Sequence, residues 1–248
     1  MLQGVLLMGP VLSLVVNVVI GVRLFRMWWR TREVPELAIG ASGILNTLSF
    51  PVLIAAKNMA ADSPETAGLV WTVGISLVVA GSLCLYTFNW RVFYPNRPWV
   101  GGIVVAAALA GWGGLLGQGL AGDLVAHKPV GFFGWLSYAG RTLAVTWTSY
   151  ESLRYYALMR KRLRLGLADP LVANRFFLWG LAGAAVTVSN VNIFCRYAFL
   201  DGNLMAPEVV VLSFLTNVVS GTSVWLAFFP LRSYRRRFES RAEDGGDG

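Results

Sequence analysis

Chemistry-bearing residues are scarce in this chain. It has one histidine and two cysteines among 248 residues, and only 14% of the residues are charged. The lone His127, in a loop, gives a histidine-based metal site or catalytic triad nothing to build on. No phosphate-cradling glycine loop occurs, and no pair of acids falls inside an apolar segment. These absences predict a protein that is not an enzyme and holds neither metal nor cofactor. Cys84 falls near one end of its apolar segment and Cys195 near the opposite end of another. A disulfide needs Cα atoms within ~7 Å, so two free thiols are expected.

The shortage of charge has a second consequence. Soluble domains run near ~25% charged, whereas here 56% of residues are apolar and the mean hydropathy is +0.58. An all-α integral membrane protein is predicted, with nothing left over for a second folded domain. A net charge of +8 in a soluble protein would suggest nucleic acid. Here the basic residues punctuate apolar segments, so their plain reading is topology, with no nucleic-acid partner.

Apolar runs long enough to cross a bilayer predict a seven-transmembrane-helix bundle over residues 1–231. The spans cover about residues 4–22, 37–58, 67–90, 99–121, 131–155, 173–199 and 208–230. The N-terminal run lacks a basic leader and a small-residue cleavage site, so it is expected to be a span and not a signal peptide. Pro51 is expected to kink span 2. Span 4 is rich in glycine and reads as packing material. All but four of the 21 Lys and Arg residues follow spans 1, 3, 5 and 7. That places the N-terminus outside and the C-terminus in the cytosol, in a bacterial-type inner membrane or a plasma membrane. The densest cluster, between spans 5 and 6, reads as a basic loop from Arg154 to Arg175. The tail, residues 232–248, starts basic and ends acidic and glycine-rich, a composition expected to be disordered.

Sliding the chain by 140 residues aligns span 2 with span 6 and span 3 with span 7. Gly40 meets Gly180, Gly43 meets Gly183, and Val78 to Ser82 meets Val218 to Thr222 without a gap. The pattern fits three helices, a linker helix and three more in the same orientation, a 3+1+3 parallel repeat of the kind some transporters use. Seven spans are also the plan of microbial rhodopsins, which hold retinal on a lysine of the seventh span. Span 7 has no lysine, so retinal is not expected and no family resemblance follows.

Six spans carry polar residues at spacings of three, four and seven, which puts each set on one helix face. In lipid such faces turn inward. For any single Ser, Thr or Asn the plain role is a bond between helices, worth ~0.6 kcal/mol. Five amides near mid-membrane (Asn17, Asn46, Asn190, Asn192 and Asn217) together predict a polar cavity. Arg141 lies about ten residues inside span 5, ~15 Å deep, and a charge there costs at least ~2.5 kcal/mol unless paired or hydrated. One reading is a clamp onto Glu208 or an asparagine. The other is an anion site, because the guanidinium fork suits carboxylate or phosphate. The candidate ligand-binding set is Arg141, Tyr138, Asn46, Asn190, Asn192, Asn217 and Glu208. Glu151, Arg154 and Arg175 form a candidate inner gate or coupling site.

The leading expectation is a carrier or ligand-binding protein for a small polar or anionic solute, with the lipid bilayer as its surroundings. A receptor-like or accessory protein that docks a cytosolic partner on its basic loops is one alternative. An anionic-lipid-binding scaffold is another.

Overall fold

The computed structural model describes residues 2–126, 128–200 and 206–229. His127 and the tail lie outside the described residues. Every regular element described is helical. The long helices are α1 (Leu2–Thr31), α2 (Val34–Met59), α3 (Pro64–Phe93), α6 (Gly131–Leu163), α7 (Pro170–Phe199) and α8 (Pro207–Phe228). Between α3 and α6 run α4 (Trp99–Ala108), a π-helical turn (Leu109–Gly113) and α5 (Gly114–Leu120), then a short 3-10 turn (Asp123–Ala126). Five stretches are long and apolar enough to cross a membrane: α2, α3, α4 to α5, α7 and α8. The other two expected spans fall on α1 and α6. Arg141, Glu151 and Arg154, with the hydroxyls around them, keep α6 from being a purely apolar helix.

Local chemistry sets the helix ends. Proline opens α3, α7 and α8 and sits in the first turn of α2, where its missing N–H removes nothing the helix uses. The Asp169 carboxylate accepts the Leu171 N–H at 2.8 Å, capping α7. α2 continues through Pro51 as one helix.

The expected basic loop is corrected here. α6 continues to Leu163, so Arg160, Lys161 and Arg162 ride on its last turns, and only residues 164–169 connect it to α7. Long basic side chains are good helix formers and complement the negative end of the helix dipole, so nothing stops the helix where its apolar run stops. Gly166 does, at φ +67°. The Leu167 N–H donates to the Arg162 carbonyl at 3.0 Å and the Gly166 N–H to the Leu163 carbonyl at 3.1 Å, the pairing of a Schellman motif. Gly166→Ala is expected to destabilise this end by about 1 kcal/mol. Faster amide exchange confined to the last turn of α6 would register it; unchanged exchange would contradict it.

The chain divides into two compact units. One holds residues 17–145 and 192–204, the other residues 1–16, 146–191 and 205–248. In the first, the backbones of α1 and α2 touch: a Cβ on Gly40 would meet Leu24 Cβ at 3.1 Å and the Gly21 carbonyl at 3.2 Å. The α2–α3 contact closes where Gly74 meets Leu53 and Gly81 meets Asn46. Ile75, Val79 and Leu115 form a buried core covered by Leu53, Trp71, Leu83 and Leu124. Gly111 of the π turn lies on Val79, and Gly114 and Gly117 of α5 lie on Ser137 and Phe133 of α6. Gly101, Gly111, Gly114 and Gly117 of the fourth expected span therefore lie at helix contacts, whereas Gly102 and Gly113 face open space.

In the second unit, Gly180 and Gly183 of α7 seat on Leu153 and Ser149 of α6, and the Ser149 hydroxyl donates to the Gly180 carbonyl at 2.7 Å. Trp179 meets Phe228 of α8 at 5.5 Å. The Ser13 hydroxyl of α1 donates to the Asn217 carbonyl at 2.9 Å.

Positions matched by the 140-residue shift behave alike at one place and differently at another. Gly40 and Gly43 face Gly21 and Asn17, four apart on α1, as Gly180 and Gly183 face Leu153 and Ser149, four apart on α6. Gly81 faces Asn46 of α2, whereas Gly221 faces Ser13 of α1.

Candidate functional site

α6 has two unlike faces. Phe132, Leu143 and Tyr150 are 73%, 58% and 63% exposed, whereas Ser137, Thr148, Glu151 and Ser152 are 7% exposed or less. At about 100° per residue, Ser137, Arg141, Thr148 and Ser152, spaced four, seven and four, share one face. The exposed apolar residues lie on the opposite face. Fully buried Ala144 continues the inward stripe between Arg141 and Thr148, and Glu151 flanks it. The stripe runs from Ser137 to Ser152, ~22 Å along the helix axis.

Arg141 is half-buried on this face. Its Nε donates to the Ser137 carbonyl one turn earlier at 3.2 Å, and its guanidinium lies 5.3 Å from the centre of the Tyr138 ring. Thr142 in turn hydrogen-bonds the Tyr138 side chain. Within its own unit Arg141 has no carboxylate partner among the described residues. Of the five N–H donors of a guanidinium, one is used among the described residues, and the Nη fork makes no hydrogen bond to them. Trp135 stands edge-on to Tyr138 at 5.8 Å and to Phe194 of α7 at 5.1 Å, which fixes the aromatic surroundings. The Tyr86 hydroxyl of α3 donates to the Gly140 carbonyl at 2.9 Å and anchors α6 one residue before Arg141.

The other candidate ligand residues divide between the units. Asn46 and Asn192 belong with Tyr138 and Arg141; Asn190, Asn217 and Glu208 belong to the second unit. Asn46 donates to the Ser42 carbonyl of its own helix at 2.9 Å and presses on Gly81. Asn217 donates to the Ser213 carbonyl at 2.7 Å. Both amides thus direct a donor at their own helix. The Asn192 Nδ2 is buried without a hydrogen-bond partner among the described residues. Asn190 is half-buried. Glu208 is exposed in the first turn of α8, where a carboxylate complements the helix N-terminus.

At the candidate gate, Arg154 Nη1 donates to Glu151 Oε2 at 3.1 Å. The acid is 2% exposed and the arginine 52%. The pair lies within α6, its two residues one turn apart. Arg175 is exposed on α7.

Three features of this region were missing from the sequence reading. The Ser137 and Ser152 hydroxyls are buried without a hydrogen-bond partner among the described residues. The π turn at Leu109–Gly113 packs on Val79 of α3 and beside Gly140 of α6, and such turns occur often at functional sites. The Gln118 side chain donates to the Lys128 carbonyl at 2.9 Å, closing the α5–α6 connection. The serine period of α6 carried the first signal; no sequence pattern announces the π turn. No protein-family model matches the chain, and no characterised protein or solved structure is significantly similar to it.

Proposed function

We propose that the protein is a non-enzymatic, seven-span membrane carrier or ligand-binding protein for a small anionic or polar solute, with its N-terminus outside and its C-terminus cytosolic. Arg141 is the principal anchor, and the Ser137–Arg141 part of the α6 polar face is the site the solute meets. The observation that carries the reading is the Arg141 guanidinium. It is half-buried on the polar face of α6, held by the Ser137 carbonyl and Tyr138 and unmatched by a carboxylate of its unit among the described residues. A charge kept in such a place at a cost of at least ~2.5 kcal/mol calls for an anionic counterpart.

Native mass spectrometry of the gently purified protein tests this. Wild type should carry a small anion or polar molecule that Arg141→Ala lacks. That molecule would then be offered to proteoliposomes for flux. No bound species in either protein, with equal thermal stability, would remove Arg141 from this role.

A receptor-like reading has one observation in its favour. α6, at 33 residues, is ~50 Å long against a hydrocarbon core of ~30 Å, so its basic last turns extend past the membrane as a docking surface. It predicts a partner that co-purifies and is lost when Arg160, Lys161, Arg162 and Arg164 are neutralised, with Arg141 indifferent.

A further inference from the structure

The turn between α1 and α2 holds a cation that the solute site does not use. Arg32 is the one non-glycine residue with positive φ (59°) among the described residues. Its N–H donates to the Trp28 carbonyl at 2.7 Å, which folds the chain back so that the guanidinium lies 5.2 Å from the Trp28 ring and 5.0 Å from the Trp29 ring. The two rings stand edge to face at 6.0 Å, and Phe25 backs Trp28 at 5.2 Å.

The neighbouring acid Glu36 is hydrogen-bonded to the Thr31 hydroxyl at 2.5 Å and does not pair with Arg32. Stacking on aromatic faces uses the plane of a guanidinium and leaves its N–H edges for an acceptor. Arg32 is exposed, so those edges are accessible.

Position says what the acceptor is. α2 begins two residues later, at Val34, and is long and apolar enough to cross a membrane. Arg32 therefore stands at the edge of the hydrocarbon, where lipid phosphates lie and where tryptophan concentrates. Trp29 and Phe25 are 61% and 43% exposed and offer apolar surface to acyl chains beside the cation. Exposed Arg26 and Arg30 on the same helix end add positive potential, and the nearby acids Glu33 and Glu36 form no ion pair with Arg32 among the described residues.

We infer that the α1–α2 turn is a headgroup site for an anionic phospholipid, with Arg32 as the phosphate ligand and Trp28 and Trp29 as the platform that holds it. The lipid docks from the bilayer, its phosphodiester on the guanidinium edge and its upper chain along Trp29. The site shares no residue with the surroundings of Arg141 and does not depend on what Arg141 binds.

Arg32→Gly tests it cleanly, because glycine accepts positive φ and keeps the turn while removing the cation. The full-length protein is placed in bilayers of equal phosphatidylglycerol and phosphatidylcholine, and lipid retained on release is counted by native mass spectrometry. Wild type should retain phosphatidylglycerol selectively. Arg32→Gly should retain about fivefold less, the equivalent of ~1 kcal/mol for one interfacial cation. Trp28→Leu should also lose retention, and it serves in place of Arg32→Gly if that variant fails to fold. Arg26→Gln, which removes a cation that is not stacked on the Trp28–Trp29 platform, should lose clearly less than Arg32→Gly. Equal retention in wild type and a folded Arg32→Gly would overturn the site. So would an Arg26→Gln loss as large as that of Arg32→Gly, which would mean diffuse charge, or displacement of the lipid by excess inorganic phosphate, which would mean a free-anion site.

Discussion

Arg141→Ala is expected to weaken binding of a small carboxylate by at least ~30-fold, since losing one partner of a buried charged hydrogen bond costs ~2–5 kcal/mol. Arg141→Lys should recover only part of this. Lysine keeps the charge but loses the fork that grips two oxygens and the planar face that lies over Tyr138. The same variant separates a ligand anchor from a structural clamp by the sign of its effect on the empty protein. A clamp lost to alanine lowers thermal stability. An arginine held only by the Ser137 carbonyl and the Tyr138 ring carries an unrepaid desolvation cost, so alanine should leave the ligand-free midpoint unchanged or raise it. Ligand should then shift the wild-type midpoint upward and leave Arg141→Ala where it was. A lowered midpoint in the ligand-free variant, with wild-type ligand shifts retained, would assign Arg141 to the scaffold.

The sequence was most informative about what each helix is made of and least informative about where helices stop and what they touch. Apolar runs place α2, α3, α7 and α8 within a few residues, because burial in lipid demands some twenty apolar residues in a row. The end of α6 was misplaced by eight residues, because hydropathy reports where the membrane ends and the helix ends at a glycine. The polar face of α6 was legible from its spacing, and its burial follows from the same spacing. What an individual amide does was not legible. Asn46 and Asn217 have the composition of cavity residues, yet each donates to the carbonyl four residues back. That choice depends on the neighbour across the helix contact, Gly81 in the case of Asn46, and one sequence cannot supply it. The π turn was hidden for a related reason: it adds a residue to one helical turn without changing composition, and only the packing of Gly111 on Val79 gives it a position.

Gly114→Ala is expected to cost the fold at least ~2 kcal/mol, in the upper part of the range for overpacking, although alanine is intrinsically the better helix former by ~1 kcal/mol. The reason is what the added methyl would meet. Its carbon would lie 2.7 Å from the Phe133 carbonyl oxygen and 2.9 Å from the Ser137 nitrogen, both backbone atoms of α6 that no rotamer change can move. Gly117 nearby would press on the Phe133 ring at 2.4 Å, a side chain that can turn aside, so its alanine variant should suffer less. Gly102 and Gly113 have nothing within 4 Å of the same position, and their alanine variants should be neutral or slightly stabilising. Thermal midpoints in one detergent rank the four variants. If Gly114→Ala matched Gly102→Ala, the close approach of α5 to α6 would be absent in the folded protein. If Gly114→Ala is the outlier, α5 is fixed against the turn of α6 that carries Ser137, and Ser137 supplies the carbonyl that holds Arg141. A loss of anion binding larger than the loss of stability would then tie the seating of this helix to the geometry of the site.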